Sequence, residues 1–500
     1  MDFVSCTMIF VLACVTIHAL CLLFTKSTKP NYKLPPGPSR LPIIGNLLDM
    51  GEKPHLSLSK LAKIHGPIMS LQLGQKTSVV VSSAEMAKEI LLTHDHHLSN
   101  RPIPQSVSVL NHENYSFAFI PISPLWREMR KICNTQLLSH KNLDDSQHVR
   151  RNKMQQLLND VHHSSQIGEA VDIGTLGFKA TINLLSNTIF SIDLIDSTDA
   201  AGEFKHLVTN ITNLVGTPNL ADFFPMLKTI DPQGINRRQA KNVTKVLDIF
   251  DRLINQRLKL RENGFHSKND MLDSLLTISK DNKLIDKTLI AHLFHDIFVA
   301  GTDTTVSTLE WAMSELVRNP QVMEKAKEEL GEIVGNNGSV PVEESDISKL
   351  PYLQAVIKET LRLHPPVPFL LPRKAEIDVD IGGYTIPKDA QVMVNVWNIG
   401  RDPSLWDNPT LFSPERFIGS DIDVKGTNFE LVPFGAGRRI CPGLQLANRM
   451  LYLMLGSLIN SFDWKLQHGM RLEDIDMTEK FGITLQKAQP LKVFPIKISN

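Results

Sequence analysis

The stretch from Asp286 to Pro320, "DKTLIAHLFHDIFVAGTDTTVSTLEWAMSELVRNP", reads as one long helix, and it sets the class of fold available to this chain. Asp286 stands where an N-cap is expected, and Pro320 lies just beyond the end. Helical periodicity dominates from about 84 to 363, as in "VTKVLDIFDRLINQRLKLREN". Strand signals sit at the margins. "PIMSLQLGQKTSVVVSS" reads as a strand pair, "IDVDIGGYTIPKDAQVMVNVW" as a β patch turning at Gly382-Gly383, and "EKFGITLQKAQPLKVFPI" as a closing hairpin. The expectation is a mostly α body with small β-sheets. At 500 residues it is either one large elaborated domain or two.

Phe3 to Phe24 contains no charged residue and is long enough to cross a bilayer. Asp2 precedes it, while Lys26, Lys29 and Lys33 follow, which by the positive-inside rule keeps the C-terminal side in the cytosol. We therefore expect an N-terminal transmembrane signal-anchor over 1–25 and a Lys/Pro-rich hinge over 26–46, with a cytosolic domain over 47–500. Cys6, Cys14 and Cys21 fall in the apolar run, leaving Cys133 and Cys441 in the body. That is too few for a disulfide framework, and no CxxC pair offers a zinc cage. Lys plus Arg equals Asp plus Glu at 53 each, which argues against a nucleic-acid partner.

The segment "PFGAGRRICPG", Pro433 to Gly443, sets a lone cysteine among glycines and two arginines before an apolar helical run. Glycines allow tight turns and close approach of the backbone to a flat ligand. The helix start and nearby cations are expected to lower a thiol pKa, favouring the thiolate that binds metal. Phe434, Gly437, Arg439, Cys441 and Gly443 match F-x-x-G-x-R-x-C-x-G, which resembles the heme-binding loop of cytochromes P450. Five such positions would recur by chance in a chain this long roughly once in ten thousand. The resemblance implies the P450 fold, heme b as cofactor and Cys441 as the axial thiolate on iron.

The centre of the long helix, Ala300-Gly301-Thr302-Asp303-Thr304-Thr305, gathers weak helix formers that could open the helical ladder locally. It is similar to the A/G-G-x-D/E-T-T/S segment of oxygen-activating members of that family. The likeness implies catalytic roles for Thr304, holding the dioxygen-derived ligand, and for Asp303, relaying protons. Glu359 and Arg362 lie three apart on one helical face, which Pro365 ends. With Arg416 of "FSPERF" they match a structural triad of the family. By the same resemblance, Trp126, Arg130, Arg373, Phe434 and Arg439 contact the heme, the cations meeting its propionates. Cys133 reads as a small core residue.

The match runs from "LPPGPSRLPIIGN" to "KFGITLQKA", and it looks like the plant microsomal type. "KPHLSLSKLAKIHGPIMSLQLGQ" and "DPQGI" resemble the geraniol 8-hydroxylase group. This implies a monooxygenase that uses O2 to hydroxylate a small lipophilic terpenoid. Diterpenoids, prenylated phenols and tyrosine are the alternative substrates in the wider family. A heme-thiolate isomerase or dehydratase, or a non-catalytic heme carrier, would have no need of Asp303-Thr304. By family position the pocket residues are Phe298, Val299, Ala300, Val367, Phe369, Leu370, Ile483 and Thr484. The segment "NRPIPQSVSVLNHENYSFAFIPISPLW" should roof the pocket, although its Asn111-His112-Glu113-Asn114 matches no pattern of the geraniol group. No flavin or nicotinamide fingerprint is present. The resemblance therefore implies electrons from NADPH-cytochrome P450 reductase in the endoplasmic reticulum membrane, docking near Arg127, Lys131 and Arg438.

Overall fold

The computed structural model describes residues 33–264, 268, 270–335 and 340–498, with Met8, Leu12, Ala13 and Thr16. Apart from those four positions, the anchor expected over 1–25 lies outside the described residues. Among the described residues no helix is long and apolar enough to cross a membrane.

The helices that position the site are α1 (Pro124–Ile132), α2 (Gln147–Ile167), α3 (Ile173–Phe190), α4 (Ile235–Glu262), α5 (Lys287–Arg318), α6 (Pro351–Leu363) and α7 (Leu444–Ser461). The strands are β1 (Ile68–Leu73), β2 (Lys76–Val81), β3 (Val171–Asp172), β4 (Arg373–Lys374), β5 (Val379–Ile381), β6 (Tyr384–Ile386), β7 (Gln391–Val394), β8 (Phe462–Lys465), β9 (Glu479–Lys480), β10 (Gln486–Lys487) and β11 (Lys492–Lys497). They form a four-stranded sheet in the order β1-β2-β7-β4, a three-stranded sheet β3-β11-β8, and the hairpins β5-β6 and β9-β10.

The long helix forms as its sequence demands. The Asp286 carboxylate accepts from the Leu289 backbone N–H at 2.7 Å, capping α5. At the other end Asn319, which precedes Pro320, leaves the helical region at φ −117°, ψ 77°. Between these ends α5 runs unbroken through the interior, packed by α3, α4, α6 and α7. Small residues allow that packing. A Cβ on Gly177 of α3 would lie 2.8 Å from Leu309 Cδ2, and one on Gly301 would lie 3.2 Å from Leu185 Cδ1.

Of the expected hinge, 26–32 lies outside the described residues; from 33 to 40 it has no regular secondary structure and is pinned to the sheet. The Ser70 N–H donates to Pro36 O at 2.8 Å and its hydroxyl to Pro35 O at 2.7 Å. The expected closing hairpin forms as β9-β10, but β11 leaves it and pairs antiparallel with β8 and β3. Pro490, which has no N–H to donate, stands between the two pairings.

Candidate active site

One apolar cavity of about 380 Å³ opens between α5, α1, the 101–119 segment, the residues after α6 and the cysteine loop. Of the expected pocket residues, Val299, Ala300, Val367, Leu370, Ile483 and Thr484 line it. Phe298 and Phe369 do not. Phe298 is sealed between Phe190 and Phe250, with ring centroids 5.9 and 5.0 Å away. Consecutive helical residues differ by roughly 100°, so Phe298 and Ala300 face opposite ways. Phe369 packs against the sheet with Val80 and Met393, and against Phe481 at 6.1 Å. Leu370, at φ +51°, breaks the local alternation and turns to the cavity.

At one end of the cavity lies the cysteine loop. The Cys441 N–H donates to Phe434 O at 2.9 Å across a short turn at Gly437–Arg439. Gly437 is required there: its φ is +68°, and a Cβ would sit 2.2 Å from the Leu91 carbonyl oxygen. The expectation of a lowered thiol pKa fails for the bare loop. Burial pushes the Cys441 thiol up, opposed by the Gly443 N–H, the Arg130 charge and the Leu444 N–H. Only a bound metal would deprotonate such a thiol outright. Cys133 also lines the cavity, and burial pushes its thiol up to about 12.

Around this end stand four guanidinium groups. Arg130 donates to Ile440 O at 2.7 Å, and Arg439 to Ser99 O at 3.0 Å and Ile120 O at 2.6 Å. Arg373 pairs with Asp95 at 2.8 Å and also donates to Ala436 O at 3.1 Å. Arg101 donates to Pro372 O at 3.1 Å. Burial and the neighbouring guanidiniums of Arg373 and Arg130 push Arg439 down to about 9, and Arg101 also falls well below its ordinary value. Asp95 is the carboxylate that Arg101, Arg373 and Arg439 share. Trp126 Nε1 and Arg101 Nε are buried without a hydrogen-bond partner. Crowded, unsatisfied donors of one sign call for a buried anion.

The expected oxygen-activating residues separate. Thr304 lines the cavity, its hydroxyl donating to Ala300 O at 2.7 Å. Asp303 does not line it. Its Oδ1 accepts from Gln486 Nε2 at 2.6 Å, tying α5 to the closing hairpin. Burial pushes this carboxyl up, opposed by bonds from Thr484, Thr212 and Gln486. Outside the cavity, Glu359 accepts from Arg362 at 2.6 and 2.7 Å and from Arg416 at 3.1 Å.

A family model described as "Cytochrome P450" matches residues 35–493, nearly the whole described chain. The chain is a cytochrome P450. It is 51% identical over 497 residues to geraniol 8-hydroxylase of Catharanthus roseus, covering 99% of each. It is 52% identical over 499 residues to cytochrome P450 76AD1 of Beta vulgaris, covering 99% of each. With drimenol monooxygenase of Persicaria hydropiper it shares 50% identity over 492 residues, covering 98% of this chain and 97% of that one. This P450 is accordingly a heme-thiolate oxygenase that takes a small substrate, O2 and electrons from a redox partner.

The cavity of this P450 fits such a cofactor. Heme brings two carboxylates and an iron, while the cavity end offers surplus guanidiniums, an unpartnered indole N–H and a buried sulfur. Two features escaped sequence reading. Arg101 and Asp95 sit in no recognisable motif; only the Arg-Pro pair within the expected roof segment hinted at the first. At the roof of the cavity, His112, His295 and Asp296 form a polar cluster. His112 Nε2 lies 3.0 Å from Asp296 Oδ1, and its Nδ1 lies 2.7 Å from His292 Nδ1. The i, i+4 spacing of His292 and Asp296 was visible within a run read simply as core helix.

Proposed function

We propose that this P450 hydroxylates a small terpenoid alcohol of the geraniol type, with diterpenoid, prenylated phenol and tyrosine-type substrates as the alternatives to be tested beside it. One observation carries the reading: an apolar cavity of about 380 Å³ that reaches both Thr304 and Cys441. Full-length likeness to a geraniol 8-hydroxylase and a drimenol monooxygenase supports a terpenoid substrate.

Cys441 would hold the heme iron through its sulfur. Trp126, Arg130, Arg373 and Arg439, with Arg101, would hold the heme carboxylates, and Phe434 would pack beside the loop. Bound heme supplies the activation of O2 and the insertion of one oxygen atom into a C–H bond, the other leaving as water. The chain supplies orientation, dryness and protons. Val299, Ala300, Val367, Leu370 and Ile483 exclude water from the reacting carbon. The Thr304 hydroxyl, released from Ala300 O, would donate its hydrogen bond into the cavity. Asp303, its affinity for a proton raised by burial, would supply protons from behind α5, with Thr484 touching both the carboxyl and the cavity.

Glu359, Arg362 and Arg416 would hold the scaffold beneath the cysteine loop. The electron donor would be NADPH-cytochrome P450 reductase in the endoplasmic reticulum membrane, meeting the face that bears exposed Arg127 and Lys131. The N-terminal segment would provide the anchor. The test is incubation of full-length enzyme with that reductase, NADPH and, separately, geraniol, a diterpene phenol and tyrosine. Conversion of geraniol supports the substrate; conversion of another alone removes it and leaves the reaction class.

A further inference from the structure

The cavity has two unlike ends, and α5 measures the distance between them. Asp296, Ala300 and Thr304 follow one another at i, i+4 and i+8 on one face, and all three line the cavity. Eight residues of helix place Asp296 about 12 Å from Thr304 along the axis. Between them the α5 lining is apolar, with Ile297, Val299 and Ala300, whereas the roof end holds His112, His295 and Asp296.

Asp296 is already satisfied. It takes His112 Nε2 at 3.0 Å and the Ser116 hydroxyl at 2.8 Å, with the Ala118 N–H at 3.4 Å. Burial alone would push its carboxyl up, but the adjoining His112, and then His295, hold it well below the usual carboxylate range. His295 differs. It is only 4% exposed and lines the cavity, yet neither ring nitrogen has a hydrogen-bond partner. Its Nδ1 stands 3.6 Å from Asp296 Oδ1, too long for a hydrogen bond. A neutral imidazole left this way offers one N–H donor and one lone pair. Burial favours that neutral form, lowering its pKa. A hydroxyl group presents the matching lone pair and proton; an ether lacks the proton and a hydrocarbon lacks both. A cation here would compete with the bonds that His112 Nε2 and the Ser116 hydroxyl already make to Asp296.

We infer that His295, set by the His112–Asp296 pair, binds the hydroxyl of an elongated lipophilic alcohol and so directs the far, apolar end of the molecule to the cysteine side of the cavity. Resting on the terpenoid reading above, this makes the cluster a specificity determinant. It explains how a cavity whose α5 wall is apolar between Asp296 and Thr304 chooses one end of a nearly featureless chain.

The test reads binding to the full-length, heme-loaded ferric enzyme without reductase, by difference spectroscopy and equilibrium dialysis. The ligands are geraniol, its methyl ether and the hydrocarbon in which hydrogen replaces the hydroxyl. The alcohol should bind about tenfold more tightly than the ether, a ratio one well-made hydrogen bond supplies. His295→Leu should bring that ratio to about one, His295→Gln should restore most of it, and the hydrocarbon should bind all three proteins alike. Equal affinity of the unaltered enzyme for alcohol and ether would overturn the inference whether or not a variant folds. So would a loss in His295→Leu shared by the hydrocarbon. Because no turnover is needed, failure to convert geraniol strikes the proposed function, whereas failure of the ratio strikes only this assignment.

Discussion

Arg362 and Glu359 are buried completely and form a two-pronged pair, Nε to Oε2 at 2.6 Å and Nη2 to Oε1 at 2.7 Å. The remaining Arg362 hydrogen bonds reach Gly400 O, Pro409 O at 2.7 Å and Leu411 O at 3.1 Å, so one guanidinium binds two stretches of chain to α6. Removing one partner of a buried pair leaves an uncompensated charge and costs about 3–5 kcal/mol. Glu359→Gln should therefore lose most folded, heme-retaining protein, measured by heme content and urea unfolding. Arg362→Lys should do no better, because an ammonium has three donors at one point instead of a planar fork. Normal heme content in both variants would refute a scaffold role.

Thr304→Ala should keep heme and substrate binding but waste electrons. A positioned hydroxyl or acid in proton transfer is worth roughly 10²–10⁴ in rate, so product formed per NADPH consumed should fall by at least about tenfold. Unchanged coupling would remove Thr304 from the proton path. Asp303→Asn keeps the shape that accepts from Gln486 at 2.6 Å, and should slow turnover without unfolding the hairpin contact.

Cys441→Ser replaces a soft sulfur ligand by a hard oxygen. The dithionite-reduced carbon monoxide complex should lose the absorption maximum of thiolate-bound ferrous heme. Cys133→Ser should retain it, since Cys133 stands on the helix after Arg130 and only Cys441 lies in the loop that matches the family's heme-binding pattern. The reverse pattern would transfer the iron to the other sulfur.

Gly437→Ala combines a left-handed φ of +68° with a Cβ 2.2 Å from a backbone oxygen. The conformational part alone costs about 1–2 kcal/mol, and Leu91 O cannot swing aside as a flexible side chain would. Heme should dissociate faster, measured by transfer to apomyoglobin. Gly202→Ala is the control, because a Cβ there meets nothing within 4 Å.

Acid should destabilise the roof cluster in a defined window. Burial and then the neighbouring imidazoles push His292 down to about 4, and burial lowers His295 as well. The unfolded chain binds protons at these groups near pH 6.5 while the folded chain does not, so stability is lost as pH falls from about 6.5 to 4. Asp296 has the depressed carboxylate sign, contributing above the ordinary Asp range and losing its share only below it. Thermal midpoints should thus fall through the upper window, and His292→Asn should flatten that fall. An identical slope in the variant would contradict the assignment.

The sequence carried local rules well and orientation poorly. Asp286, Pro320 and the Gly382-Gly383 turn act through near neighbours, so their elements were legible. Phe298 was misjudged because family position was read without helical phase: it lies about 200° around the helix from Ala300 and turns to Phe190 and Phe250. Phe369 failed for a similar reason, since the positive φ at Leu370 reverses the facing that simple alternation gives. Asp303 was paired with Thr304 by motif, yet the neighbours point apart, one to the cavity and one to Gln486. Arg101 and Asp95 were invisible, because their meaning lies in groups hundreds of residues away.

Asp95 has a bearing on how the molecule comes together. It receives Arg373 across 278 residues of sequence and the Arg438 backbone N–H across 343, besides its own neighbour Ser99. Closing loops of that span is entropically slow, so such contacts form late on the way to the native state. The cradle for the prosthetic group is then among the last parts of the chain to take shape, and a nascent polypeptide must be synthesised almost to its end before it can hold its pigment.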